Sequence, residues 1–185
     1  ETSQKIQVIK VDPEEASKSF VRLISIMRFP KNRAISDKFR KIFDQASQVL
    51  PFQHLSFIEE ISVLNKASPW LGENDQINLR IKATQGFATF AHEIGHSVDT
   101  MLLKSNYQAK IKEIYEKGMA EGEVGFPTDY SKSNPDEFFA ECYQFYFRAP
   151  RQLQQRNPTM FELLKHIFSS EDYRDPMKLD EGEDA

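Results

Sequence analysis

His92 and His96 stand four residues apart with Glu93 beside the first of them, in the run His92-Glu93-Ile94-Gly95-His96. On a helix, four residues advance about 40° around the axis and about 6 Å along it. The two imidazoles would therefore leave one face and converge on one point. Both can then reach a zinc ion at about 2.0–2.1 Å without backbone strain. Glu93 lies about 100° round from His92, at the edge of that face. From there a carboxylate reaches a metal-bound water more readily than the metal, which is the position of a general base. Gly95 leaves room for a close approach by another backbone or by substrate. The surrounding residues, Phe87, Ala88, Phe90, Ala91, Ile94 and Val98, are apolar. Two histidines and a glutamate within such a helix would be costly if buried without partners.

A catalytic zinc takes a third protein ligand and keeps one position open. His54 and His166 are the other histidines, and each reads as a structural or surface residue. Asp99 follows His96 by three, but its Cα would lie about 10 Å along the axis from that of His92, too far for a shared metal. It reads as a hydrogen-bonding or surface acid. Glu137 is the better candidate, in Asn134-Pro135-Asp136-Glu137-Phe138-Phe139-Ala140-Glu141. Glu137 and Glu141 are again four apart, so one carboxylate can bind metal while the other hydrogen-bonds a ligand histidine. A capping box with Asn134 at the N-cap and Glu137 reaching back to it also accounts for Glu137. It does not account for Glu141 among aromatic neighbours.

At these residues the sequence resembles the zinc metallopeptidases of the anthrax lethal factor and Pro-Pro endopeptidase group. The resemblance rests on His92-Glu93-Ile94-Gly95-His96-Ser97-Val98-Asp99 and on Tyr130 through Glu141, and covers the second half of the chain. It implies one zinc ion on His92, His96 and Glu137, with Glu93 as general base and Glu141 as a supporting carboxylate. It also implies that the Tyr130 hydroxyl stabilises the oxyanion, a role open to a phenol on a loop. The implied activity is hydrolysis of peptide bonds in an extended substrate, with proline near the scissile bond in the Pro-Pro type. The short chain and the Pro-Asp-Glu-Phe-Phe-Ala-Glu version of the motif favour that type, whose members are secreted and bacterial. A catalytic domain of a larger lethal-factor-like toxin, and an inactive zinc-binding module that holds peptides, are the alternatives. Trp70 is a candidate substrate-site aromatic, although a partly buried core position is the readier explanation for it.

The elements that must position these residues can be read from periodicity. Lys5–Val11 reads as a strand, and Asp12-Pro13 opens a helix to about Arg28. Ser36 caps a helix with Phe39, Ile42, Phe43 and Ala46 on one face. Ile61–Asn65 and the alternating Ile77, Leu79 and Ile81 read as strands, the latter as one to which an extended substrate could add. The metal helix should run from about Thr84 to Leu103, and a further helix from Tyr107 to Ala120. Gly118, Gly122, Gly125 and Pro127 mark a mobile loop. Asn134-Pro135 and Asn157-Pro158 open the last two helices. The class is α+β: a small twisted sheet in the N-terminal half, a zincin-type metal helix and a mainly helical C-terminal half.

The 185 residues fit one domain, expected over 1–169, with 170–185 as a disordered acidic tail. That tail holds seven acids against Arg174 and Lys178, which leaves 22 basic and 21 acidic residues in the body. A near-neutral body gives no basic patch for nucleic acid. Cys142 is the single cysteine, so internal disulfides and thiolate zinc clusters are excluded. No stretch has the roughly 18 apolar residues of a membrane span. The expected partner is a protein or peptide substrate, the expected state a monomer and the expected location extracellular.

Overall fold

The computed structural model describes residues 27–173. The strand expected at Lys5–Val11, nearly all of the helix after Asp12-Pro13 and most of the acidic tail lie outside the described residues. The elements run α1 (Arg33–Val49), α2 (Phe52–Leu55), β1 (Glu60–Val63), β2 (Gly72–Asn74), β3 (Asn78–Ile81), α3 (Phe87–Met101), α4 (Ser105–Ala120), α5 (Pro135–Arg148), α6 (Pro150–Arg156) and α7 (Pro158–Ser170). A single 3-10 turn, Tyr130–Lys132, precedes α5. The expected α+β class holds, with one three-stranded mixed sheet and helices before and after it. Among the described residues no helix is long and apolar enough to cross a membrane.

Helix α1 buries Phe39, Ile42, Phe43 and Ala46, the face its periodicity marks. Its N-cap is Asn32 rather than Ser36, because the Asn32 side chain accepts a bond from Ile35 N at 3.2 Å. Arg28, expected to end a helix, instead lies in a parallel bridge to Glu60. Its backbone N–H donates to Glu59 O at 2.9 Å and its carbonyl accepts from Ile61 N at 2.9 Å. The extended backbone there is incompatible with a helix.

The sheet order is β1-β3-β2, with β3 parallel to β1 and antiparallel to β2. Leu79 and Ile81 point into the core while Arg80 points out toward Glu73, as period-two alternation requires. Strand β3 is therefore the centre of the sheet, with a partner on each side. It cannot take a substrate as a further strand, which corrects the expectation for Ile77–Ile81. The outer strand beside the metal helix is β2, three residues whose sequence shows no alternation.

Helix α3 packs chiefly against α5, and Gly95 marks the closest approach. A Cβ built at Gly95 would lie 3.0 Å from Ala140 Cα and 3.2 Å from Tyr143 Cβ. The glycine thus admits a helix backbone. Gly118 lies within α4, and the glycine-rich loop after it is tied down rather than mobile. Phe126 is buried against Tyr115 and Phe138. Asn157 Nδ2 donates to Gly125 O at 3.0 Å, and Arg156 donates to Pro127 O.

His54 is buried, as a structural histidine would be. Its Nδ1 bonds the Tyr143 hydroxyl at 2.8 Å and its Nε2 the Tyr173 hydroxyl at 2.7 Å. Phe147 and Phe168 close the ring in. Burial lowers its pKa to about 3, so the folded protein holds it neutral through the ordinary histidine range.

Two outcomes follow. Gly95→Ala gains helix propensity of about 1 kcal/mol but overpacks the α3–α5 contact by roughly 1–3 kcal/mol. Calorimetry should show a lower Tm, and an unchanged or higher Tm would contradict the packing role. The unfolded chain protonates His54 below about pH 6.5 and the folded chain does not, so stability falls as pH drops from 6.5 toward 3 by up to about 1.4 kcal/mol per pH unit. Denaturant titrations at successive pH values should show a shallower fall for His54→Gln than for the parent. Equal slopes would mean that His54 is not the group responsible.

Candidate metal centre

Helix α3 supplies His92 and His96 from one face, and the first two turns of α5 supply Glu137 and Glu141. The start of α5 follows from local sequence. Asn134 is extended at the N-cap, its side chain accepts from Glu137 N at 2.9 Å, and Pro135 occupies the first turn. The capping is done by Asn134 alone. The Glu137 carboxylate turns the other way, toward the histidines.

Glu137 Oε2 lies 3.0 Å from His92 Nε2 and 3.3 Å from His96 Nε2, and the two Nε2 atoms are 3.2 Å apart. His92 Nδ1 lies 2.9 Å from Glu141 Oε1. A carboxylate accepts, so Nδ1 carries the donated hydrogen and Nε2 of neutral His92 carries a lone pair. Glu137 Oε2 is buried and lacks a hydrogen-bond partner. Lone pairs thus converge within 4.8 Å with no donor fixed among them, an arrangement that a cation relieves. The donor set, two imidazole nitrogens and one carboxylate oxygen, fits a divalent metal and suits zinc.

The electrostatics favour positive charge at the same place. Burial would lower the His92 pKa, but the acceptors Glu137 and Glu141 and the charge of Glu93 outweigh it and push the value up to about 9, so a proton competes with a cation for Nε2. Burial would raise Glu137, yet His92 and His96 hold it well below the usual carboxylate range. Glu141 is lowered in the same way, against its burial, by His92, Thr128 and Gln144. Glu93 has no such donor, and burial raises its pKa. Tyr130 is pushed up to about 12 by partial burial and by Glu137, so its hydroxyl stays protonated.

Glu93 and Tyr130 flank the cluster. Tyr130 is 43% exposed, with its ring centroid 5.9 Å from that of His92. Both line an open cleft of about 620 Å³ together with His96, Glu137, Gly72 and Trp70. A second, more apolar cavity of about 380 Å³ lies beyond Trp70, Gly72 and Tyr130, against Leu71, Ala88 and Gln144. Trp70 is 53% exposed on the rim of both, which removes the core explanation for it. Asp99 accepts from Gln108 of α4 and is absent from the cluster. His166 is exposed on α7 beside Tyr107.

Sequence reasoning missed the residues that hold Glu141. Thr128 Oγ1 donates to Glu141 Oε2 at 2.7 Å, and Gln144 Nε2 to Oε1 at 2.6 Å. Gln144 is three residues beyond Glu141, a spacing that could have revealed it. Thr128 carries only a local signal, the turn in which Ser131 N donates to its hydroxyl at 3.1 Å. The clamp between β2 and α3 had none. There Asn74 Nδ2 donates to Glu93 O and to Ser97 Oγ, the latter at 2.6 Å, and Ser97 Oγ donates to Gln76 O at 2.9 Å.

None of the curated proteins compared matches the chain. The family described as anthrax toxin lethal factor, N- and C-terminal domain, matches residues 24–167, a span that takes in α3, the Tyr130 turn and α5. With well over half of its length matched, and the donor cluster inside the match, the chain belongs to the anthrax toxin lethal factor family.

Proposed function

We propose that the protein is a zinc-dependent endopeptidase that hydrolyses a peptide bond in an extended polypeptide lying along β2. The observation that carries this reading is the convergence of His92 Nε2, His96 Nε2 and the partnerless Glu137 Oε2 beside a buried carboxylate and an exposed phenol. The lethal factor family is a metalloprotease group, which supports the same reading. Held by those three atoms, zinc would supply a Lewis acid that polarises a carbonyl and acidifies water.

The chain's own residues do the rest. Glu93, its pKa raised by burial, takes a proton from the attacking water and gives it to the leaving amine nitrogen. Water thereby divides between the new carboxylate and the new amine. Tyr130 donates its hydroxyl hydrogen to the oxyanion that develops on the carbonyl, and its raised pKa keeps that hydrogen in place. Glu141 fixes the His92 tautomer, and Thr128 and Gln144 fix Glu141. Strand β2 pairs with β3 along one edge, so its other edge can bond to an extended substrate backbone beside Glu93.

A peptide-library digest read by mass spectrometry tests the reading directly. Cleavage should disappear with a chelator and return with zinc. Chelator-insensitive cleavage, or none at all, would sink the proposal. On a cleaved peptide, Glu93→Gln should retain zinc and lose roughly 10²–10⁴-fold in kcat. Tyr130→Phe should lose about 10²-fold in kcat with KM unchanged. Wild-type rates in either variant would remove that residue from the mechanism. Glu141→Ala should weaken zinc binding by about 10–100-fold in a competition titration, and unchanged affinity would deny its role in orienting His92.

A further inference from the structure

Gly72 has an ordinary extended backbone in β2, since the positive φ angles among the described glycines belong to Gly122 and Gly125. Its lack of a side chain therefore answers to space rather than to conformation. The space is filled by Glu93. A Cβ built at Gly72 would stand 2.8 Å from both Cγ and Cδ of Glu93, and closer still to Oε1. No such contact can persist, so either the strand or the carboxylate would have to move.

The strand is pinned on both sides. Toward β3, Gly72 pairs with Ile81, and Lys82 N donates to Leu71 O at 3.0 Å. Toward α3, the Asn74 side chain donates to the backbone carbonyl of Glu93 itself and to Ser97 Oγ, and Ser97 returns a bond to Gln76 O. The Glu93 carboxyl group, by contrast, ends a flexible side chain. A methyl added at residue 72 would be accommodated by swinging that side chain about its Cα–Cβ bond, which moves Cγ and the carboxyl group together.

We propose that Gly72 is a positioning residue that sets the place of the Glu93 carboxylate by presenting bare backbone to it. The inference rests on the peptidase reading, in which Glu93 is the base. The edge strand and the base form one gauge: Asn74 and Ser97 fix the gap between β2 and α3, and Gly72 lets Glu93 fill it. A methyl group at residue 72 leaves the fold and the metal ligands intact and turns the carboxylate away from the proton it must take. Its signature is a loss in turnover without a loss in stability.

Gly72→Ala in the zinc-loaded protein tests this, assayed on a peptide the parent cleaves. The expected result is a fall in kcat of about ten- to a hundredfold from misplacing a catalytic group by an ångström or more. KM should stay within about twofold, since substrate pairing is retained. Zinc stoichiometry should be unchanged, and Tm should move by no more than about 2 °C. An unchanged kcat overturns the proposal. So does a raised KM with kcat intact, which would mean that the methyl obstructs the peptide. A crystal structure of Gly72→Ala gives a readout independent of activity: a displaced Glu93 carboxylate supports the proposal, and one left in place refutes it. If the parent cleaves no peptide, the peptidase reading fails, and the crystal structure still decides whether Gly72 places Glu93.

Discussion

Helices α3 and α5 approach so closely at Gly95 that Ala140 and Tyr143 occupy the place where a side chain would be. That contact sets the distance between the two helices one turn away, where His92 faces Glu141, and at the start of α5, where Glu137 faces both histidines. Each partner is a residue or a turn from the contact, so a small change in separation would appear almost undiminished in the donor cluster. Close-packed interiors transmit displacement in this way because they have little free volume to absorb it.

The same contact makes the burial of so many ionisable groups tolerable. His92, Glu93 and Glu141 are all buried, and isolated charges there would be strongly disfavoured. Glu141 is compensated three times over, by His92, Thr128 and Gln144. Glu137 is compensated by the histidines and by the half-exposed Tyr130 hydroxyl, and Glu93 by neither a cap nor a donor. The compensation therefore grades from complete at the back of the site to incomplete at its mouth. Groups left under-compensated in a cleft are those free to bind a metal or to exchange a proton.

Much of this was legible in the sequence because helices carry their geometry in their spacing. The four-residue intervals from His92 to His96 and from Glu137 to Glu141 fix which side chains share a face, and Asn134-Pro135 fixes where the second helix starts. The alternation of Leu79, Arg80 and Ile81 revealed a strand but not its place in the sheet, since both edges of a strand look alike in sequence. Three-residue β2 has too few positions for any period to show. Its clamp to α3 depends on Asn74 and Ser97, 23 residues apart, which no local pattern joins. Asn32 displaced Ser36 as a cap because both are good caps and only the path of the preceding chain decides between them. The loop after α4 read as mobile from its glycines, whereas the buried Phe126 holds it against Tyr115 and Phe138 and so delivers Thr128 and Tyr130 to the site.

The last described residues act on the molecule as a belt. Asp172 binds Lys104 and the Tyr107 hydroxyl at the start of α4, and Tyr173 reaches His54 beside α2. His54 in turn bonds Tyr143, the residue that packs on Gly95. A fragment ended at Ser170 would keep every helix and strand intact yet unbuckle three residues at once, leaving a buried imidazole nitrogen with nothing to bond. The packing around the metal helix therefore draws on residues past its last helix, as far as Tyr173.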